Sequence, residues 1–285
     1  MLGLGNTLIN GSNFEHLWGN SGYLAFDGVD DKADVSVSAG IITSLTGGSG
    51  NIGVNFTISM WIKPTWTTSG SGASFAPKNV FPLYIGNASS VWESIRAPYY
   101  QLTNSSGVAQ NKLWADIRSS TGGNNKKNDS VALHSFNAIF GTGTGSDDYW
   151  ESGNPSGGAW VHLVAARAGA KWSLFWNGTD LTETGVTNNS LSIDNTIARV
   201  ISFAYTPQND TYWPLGIRDC AIFSAALTAG NVTTLYNSGV FLDVRKTGVA
   251  NITDNLEIYY PFDDNVRDIV SGHDLALTGG TFTAL

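Results

Sequence analysis

Between two short apolar runs, the stretch YLAFDGVDDKADV (Tyr23–Val35) gathers four aspartates, Asp27, Asp30, Asp31 and Asp34, around one glycine. Carboxylates at this density can hold a hard cation such as Ca2+, which takes oxygen ligands. A helix–loop–helix calcium loop needs those ligands at alternate positions and a glutamate at the twelfth. DGVDDKADVSVS has aspartates at its first, fourth, fifth and eighth positions and serine at the twelfth, so it does not fit. Asp30 or Asp31 could still supply one ligand to a cation, but the sequence offers no convincing set of partners for them. Ca2+ is the one cofactor suggested, and none is required. A structural reading stands beside it: Asp27-Gly28 forms a tight turn, the carboxylates cap backbone amides, and the stretch is a β-hairpin.

Paired carboxylates can also cleave glycosidic bonds, one as acid and the other as nucleophile or base. To act from one strand the two must lie within a few residues of each other. Glu15, Glu93, Glu151, Glu183 and Glu257 lie far apart, and the neighbours Asp147-Asp148 and Asp263-Asp264 would point to opposite faces of a strand. His16, His134, His162 and His273 are scattered, and no Gly-x-Ser-x-Gly elbow occurs. Zinc-ligand spacing is missing too. Cys220 is the single cysteine, set in the apolar run CAIF, which reads as a buried thiol and permits no internal disulfide. The chain is therefore expected not to be an enzyme.

Sugar recognition asks for less: aromatic faces to stack on pyranose rings and a few polar groups to meet hydroxyls. Three loop-like stretches supply both. They are VWESIRAPYY (Val91–Tyr100), DDYWESGNPSG (Asp147–Gly157) and NDTYWPLG (Asn209–Gly216), and the candidate glycan-binding residues are Trp92, Tyr149, Trp150, Tyr212 and Trp213. The same aromatics could equally cover sheet edges or sit in a subunit interface, where Trp and Tyr are enriched.

The elements that must position these groups are strands. Only 13% of residues are charged, against about a quarter in an average domain, while glycine reaches 33 residues and tryptophan 10. Short β-rich segments recur between Gly, Asn, Asp and Ser turns, the signature of a sandwich or barrel. FTISMWIKP alternates, with Phe56, Ile58, Met60 and Ile62 on one face and Thr57, Ser59, Trp61 and Lys63 on the other. WVHLVAAR sets Val161, Leu163 and Ala165 against Trp160, His162, Val164 and Ala166. WSLFWNGTDL runs into an Asn177-Gly178 hairpin turn. RVISFAY and IRDCAIF are further strands. One helix is expected near residues 228–238, with Thr228 as N-cap, Leu235 and Tyr236 as its apolar side and Gly239 as its stop. The polar, glycine-rich stretches 64–80 and 119–130 read as surface loops.

A net charge of −8, with no basic cluster beyond Lys126-Lys127, excludes a phosphate backbone as partner. No apolar run is long enough to span a membrane as a helix, and the first residues lack the basic and apolar regions of a signal peptide. The expectation is synthesis in a cytoplasm without export through a signal.

In order and in wording, these segments resemble the laminin-G-like, concanavalin A-like jelly roll. LAFDGVDDKADV is similar to that family's opening strands, FTISMWIKP to its Phe-Thr-Ile-Ser-x-Trp strand, and WVHLVAARAGAKWSLFWNGTDL to its Trp-x-His … Asn-Gly strand pair. LGIRDCAIFSAALTAGNVTTLYNSG resembles the closing strand and helix, with Asp219, Ile222, Phe223, Ala226, Leu227 and Tyr236 in register. The resemblance implies an all-β, two-sheet antiparallel jelly roll over residues 21–285, behind an N-terminal arm (1–20) that serves docking or assembly. It also implies a hydrogen-bonded structural role for His162. Residues 241–285 would be a C-terminal extension that completes the sandwich. That extension carries LEIYYPFDDNVRDIVSGHDLALTGGTFTAL, a segment that in many relatives precedes the Phe-Asp-Gly motif. The trailing order resembles laminin-G-like proteins of bacteriophage structural regions, especially marine phages. The implied role is a non-enzymatic virion protein (capsid decoration, head-fibre or tail-associated) at the virion surface, with other virion proteins or further copies as partners. The alternative is a glycan-binding lectin or adhesion module. Neither reading involves nucleic acid or a membrane.

Overall fold

The computed structural model describes residues 22–37, 55–64, 79–87, 94–103, 109–118, 131–135, 160–169, 171–182, 199–207 and 210–285. The arm 1–20 lies outside them, as do 65–78 and 119–130 of the stretches expected to be surface loops; Pro64, Asn79 and Val80 of the first belong to strands instead, and Val80 is buried. Strands are numbered in chain order. Sheet 1 holds β1 (Gly22–Asp27), β3 (Asn55–Pro64), β9 (Val161–Ala168), β10 (Lys171–Trp176), β11 (Thr179–Asp180), β15 (Pro214–Phe223), β16 (Leu256–Tyr260) and β18 (Thr281–Ala284). Sheet 2 holds β2 (Lys32–Val37), β4 (Asn79–Val80), β5 (Leu83–Gly86), β6 (Ser94–Thr103), β7 (Ala109–Arg118), β8 (Val131–Ser135), β12 (Arg199–Phe203) and β17 (Ala276–Thr278). A small hairpin, β13 (Tyr205–Thr206) and β14 (Thr211–Tyr212), stands apart from both. Helices α1 (Ala229–Tyr236) and α2 (Ala250–Thr253) follow β15. Every pairing is antiparallel, and the architecture is the expected two-sheet jelly roll.

Strand alternation fills the space between the sheets. Phe56, Ile58, Met60 and Ile62 of β3 meet Val161, Leu163 and Ala165 of β9 in one core with Ile201, Phe203, Leu83 and Ile85 from sheet 2. Each such fully buried side chain contributes roughly 1.5–3 kcal/mol through removal of apolar surface from water. The opposite face of sheet 1 is buried as well. Val164, Ala166, Phe175, Ala221, Phe223 and Tyr259 form a second cluster with Leu227, Val232, Leu235, Val244 and Ile252 of the helical segment. A polar hinge ties that segment down: Thr57 Oγ1 donates to Ala225 O (2.8 Å) and accepts from Leu227 N (2.8 Å).

Helix α1 starts as the sequence predicts, with a capping box between Thr228 and Asn231. It ends earlier than expected. Asn237 already takes the left-handed conformation (φ 47), followed by Ser238 (φ 56) and Gly239 (φ 89). Asparagine tolerates that region through its short polar side chain, so the stop moves to it. The Asn177-Gly178 turn is as expected, both residues having positive φ (48 and 76).

The opening stretch is not a hairpin. β1 pairs with β15 and β18 in sheet 1, whereas β2 pairs with β12 and β17 in sheet 2. Residues 28–31 therefore form an arch that carries the chain across the sandwich. β17 and β18 are joined by a second arch through Gly279 and Gly280, and the two lie in contact. A Cβ on Gly279 would fall 1.7 Å from Asp31 Oδ1. The turn chemistry of Asp and Gly suits both outcomes; only the partners of the flanking strands separate a hairpin from an arch.

β15 carries a second irregularity. One edge pairs with β3 along its length, while the other is shared by β1 (at Pro214–Ile217) and β16 (at Cys220–Phe223). Asp219 sits at that junction with φ 47, and the register against β3 shifts there. Its buried carboxylate accepts from Arg218 Nε (2.8 Å) and Tyr259 OH (2.6 Å). Burial pushes the carboxyl above its ordinary value, against the opposing pull of Arg218 and the Tyr259 hydrogen bond.

Candidate functional site

At one end of the sandwich β12 runs into the β13–β14 hairpin. Ala204, buried with φ 54, turns the chain outward, donates from N to Pro82 O (3.1 Å) and accepts from Trp213 N (2.9 Å). The register sets Tyr205 opposite Tyr212, and their rings lie 4.7 Å apart at 31°. Asp210, in the left-handed region (φ 47), folds back over the pair. Both hydroxyls donate to its Oδ1, each at 3.2 Å. Lys32 Nζ sits 4.8 Å from the Tyr205 ring centroid and 2.9 Å from Asp34 Oδ2. The result is a half-buried array of carboxylate, ammonium and two phenol rings, capped by the exposed carboxylate of Asp210.

The electrostatics follow from that grouping. Desolvation and then the Asp210 hydrogen bond push the Tyr205 phenol up to about 12, helped by Tyr212 beside it. Desolvation, followed by the charge of Asp210, also raises the Tyr212 phenol, while Lys32 pulls it down. Both hydroxyls stay protonated and keep donating at neutral pH. Asp210 Oδ2 takes no hydrogen bond among the described residues, so it can accept from a ligand hydroxyl.

Sheet 2 continues away from this array. On the face away from the core, Asp34 is opposite Ser202 and Ser202 opposite Tyr84. Continuing the β5–β6 register sets Tyr84 against Arg96. Ser202, Tyr84, Ser94 and Arg96 are buried although they face outward, and Ser202 Oγ has no hydrogen-bond partner. The Arg96 guanidinium lies over Phe81 (4.8 Å) and Tyr99 (5.3 Å), and Tyr99 stacks on Trp114.

Of the residues proposed from sequence, Tyr212 is part of the array. Trp213 is not: it is 6% exposed and packs edge-on against Phe81, so it has no face for a sugar. Alternation explains the difference, because consecutive residues of a strand point to opposite sides. Trp92, Tyr149 and Trp150 lie outside the described residues. Tyr205, Lys32 and Asp34 were not singled out from sequence. The pattern YTPQNDTY, two tyrosines flanking an Asn-Asp turn, is the signal that could have found Tyr205.

The arch carboxylates do come together, ligand atoms of Asp27, Asp30 and Asp31 lying within 4.8 Å of one another. Their hydrogen bonds are those of a turn: Val29 N donates to Asp27 Oδ1 (2.7 Å) and Asp27 N to Asp31 Oδ2 (2.9 Å). Asp31 is buried against Gly279, which leaves only Asp27 and Asp30 facing solvent. The arch lies beside the hairpin, since Asp27 pairs with Pro214 and Lys32 follows Asp31 directly.

Two arrangements mimic catalytic sites. Ser271, His273 and Asp268 meet near the C-terminus, Ser271 Oγ lying 2.6 Å from His273 Nδ1 and that nitrogen 3.3 Å from Asp268 Oδ2. A relay needs the two histidine nitrogens to serve different partners. Here one nitrogen faces both, and Ser271 Oγ donates directly to Asp268. Asp268 also accepts from the amides of Tyr259, Val270, Ser271 and His273, so it is a turn anchor. His162 is the second case. It is buried, its Nε2 lies 2.9 Å from Ser59 Oγ, and its Nδ1 has no partner. The ring packs beside both Trp61 (4.9 Å) and Tyr236 (6.1 Å), and burial lowers its pKa to about 3. It is a neutral core residue. Burial likewise raises the Cys220 thiol, aided by Asp219 and Asp268, which leaves it unreactive.

Comparison with known proteins agrees with this architecture. The Laminin_G_3 profile, described as the Concanavalin A-like lectin/glucanases superfamily, matches residues 108–233. No curated protein matches the chain. The native heptameric SAP-like pentraxin from Limulus polyphemus is similar at 10% identity and a TM-score of 0.50, over 93% of this chain and 95% of that one. A Bacteroides ovatus ATCC 8483 protein assigned to carbohydrate binding is similar at 10% identity and a TM-score of 0.48, over 93% of this chain but 61% of that one. Trypanosoma rangeli sialidase, in complex with the inhibitor DANA, is similar at 12% identity and a TM-score of 0.42, over 80% of this chain and 28% of that one. At such identities a likeness speaks for the fold alone, and the fold is a concanavalin A-like jelly roll.

Proposed function

We propose that this chain is a non-enzymatic carbohydrate-binding protein whose sugar-contact surface is the Tyr205–Tyr212 hairpin. One observation carries the reading. Two tyrosine rings stack at a tilt at the end of the sandwich, their hydroxyls gathered on the exposed carboxylate of Asp210. The face of Tyr212 turned away from Tyr205 takes the C–H side of a pyranose, while Asp210 Oδ2, Lys32 and Asp34 supply the acceptors and donor for its hydroxyls. Holding both phenols on one carboxylate fixes the rings before ligand arrives, which lowers the ordering cost of binding. The test is a glycan array probed with and without Ca2+, comparing the native chain with Tyr205→Ala/Tyr212→Ala. Hits that vanish in the variant support the reading. No hits in either condition, or hits the variant keeps, overturn it.

We also propose a place for the protein on the surface of a bacteriophage particle, with residues 1–20 as the arm that docks onto other virion proteins. The trailing position of LEIYYPFDDNVRDIVSGHDLALTGGTFTAL supports this, as does a surface poor in charge and net acidic, suited to staying soluble beside DNA without binding it. Mass spectrometry of purified particles checks it: the chain should appear in fixed stoichiometry, and its absence from particles would remove the proposal.

A further inference from the structure

The hairpin surface already holds one cation, and the means by which it does so occur a second time beside it. Lys32 Nζ lies 4.8 Å from the centroid of the Tyr205 ring and 2.9 Å from Asp34 Oδ2, so a phenol ring and a carboxylate share one ammonium. Tyr212 and Asp210 are a second ring and carboxylate, joined at 3.2 Å through the Tyr212 hydroxyl. No described cation lies over that ring or pairs with that carboxylate. The surroundings are acidic. The arch that gathers Asp27, Asp30 and Asp31 packs on Pro214, two residues after Tyr212: Asp27 is opposite Pro214, and a Cβ on Gly28 would fall 2.5 Å from Pro214 Cδ. Of the described cations on neighbouring strands, Lys63 lies over the Tyr23 ring and Arg96 over Phe81 and Tyr99.

We propose that the ligand of this surface carries a free amine: an unacetylated amino sugar, its ammonium on Asp210 Oδ2 and against the face of Tyr212 turned away from Tyr205. The inference rests on the glycan reading of the hairpin and narrows its ligand class. A neutral sugar can use the ring face and the hydroxyl contacts. Only a cation gains as well from the carboxylates of Asp27, Asp30, Asp31 and Asp210, because Asp34 is already matched by Lys32. A uronate or sialate meets the same carboxylates as repulsion, which discriminates against it. Lys32 does not relieve that repulsion, since drawing its ammonium onto an acidic sugar would take it from Asp34 and leave two carboxylates facing each other. An exposed ion pair and an exposed cation–π contact together change affinity about three- to thirtyfold.

The test is isothermal titration calorimetry of the full chain at about pH 6, where a sugar amine is protonated. The probes are a glucosamine oligomer, an N-acetylglucosamine oligomer of equal length and a galacturonate oligomer. The glucosamine oligomer should bind about three- to thirtyfold tighter than its acetylated counterpart, and the galacturonate most weakly. Added salt should close the gap, because it screens exposed charges. Asp210→Asn, at an exposed position and with a residue suited to φ 47, should shrink the ratio between the first two probes. Tyr205→Ala/Tyr212→Ala should remove glucosamine binding, which separates recognition at the hairpin from a polycation's general attraction to an acidic chain. Three results would overturn the inference and leave the glycan reading standing: equal or tighter hairpin binding of the acetylated or acidic oligomer, a ratio that Asp210→Asn leaves unchanged, or hairpin binding only of sugars without an amine. Glucosamine binding that the tyrosine variant keeps, or no binding of any glycan, would overturn both.

Discussion

Lowering the pH should unfold this protein through His162. The ring is fully buried, and its pKa falls from 6.5 to about 3 because the cation would lose its hydration with no anion to replace it. The folded value lies below the unfolded one, so the contribution is intact above about pH 6.5 and is lost as pH falls from there toward 3. At about 1.4 kcal/mol per pH unit, that interval amounts to about 5 kcal/mol, a large share of a typical domain's stability. Carboxylates add their own acid dependence, so the comparison must be differential. His162→Gln keeps a polar group that can reach Ser59 Oγ but cannot titrate. Urea unfolding, followed by tryptophan fluorescence, should be measured for both chains at steps between pH 7 and 4. The variant should be less stable at pH 7, having lost packing against Trp61 and Tyr236. The native chain should then lose up to about 1.4 kcal/mol more per pH unit than the variant below pH 6. Equal slopes would refute the reasoning, for they would mean that water or an unseen carboxylate solvates the protonated ring.

Other consequences can be measured in the same way. Asp219→Asn keeps a residue suited to φ 47 but removes the charge beside Arg218, and should cost about 3–5 kcal/mol; Tyr259→Phe should cost about 1.5–3 kcal/mol, both read from urea midpoints. Gly279→Ala should destabilise the fold because its Cβ meets Asp31 Oδ1. Asp31→Ala should recover part of that loss in a double-mutant cycle, leaving about 1–2 kcal/mol for the left-handed backbone. Trp213→Ala should lower stability by about 3–5 kcal/mol by emptying a core position beside Phe81, and any glycan affinity should fall no further than unfolding explains.

What the sequence revealed and what it hid have the same physical origin. Alternation in FTISMWIKP and WVHLVAAR placed the main core correctly, since period-two patterning reports which residues share a face. It could not show that the second face is buried too. Ser59, Trp61 and His162 look like a solvent face until residues 227–269 return to cover them, a contact between segments distant in sequence. The arch at residues 28–31 was hidden for a related reason, because local turn chemistry does not name the strands that flank it. For the site, Tyr212 was legible as an aromatic beside a polar turn, whereas Tyr205 was absorbed into the strand RVISFAY. Its role appears only once the hairpin brings it across to Tyr212 and Asp210.

The central claim is that sugar meets the protein on the Tyr205–Tyr212 hairpin. Its most direct test is a nuclear magnetic resonance titration of the isotope-labelled chain with an oligosaccharide taken from the array hits. Perturbed amides should cluster at Lys32–Asp34 and Tyr205–Trp213, with the Tyr205 and Tyr212 ring protons shifted upfield or downfield by the stacked sugar. Perturbations confined to another face, or none at saturating ligand, would contradict the claim.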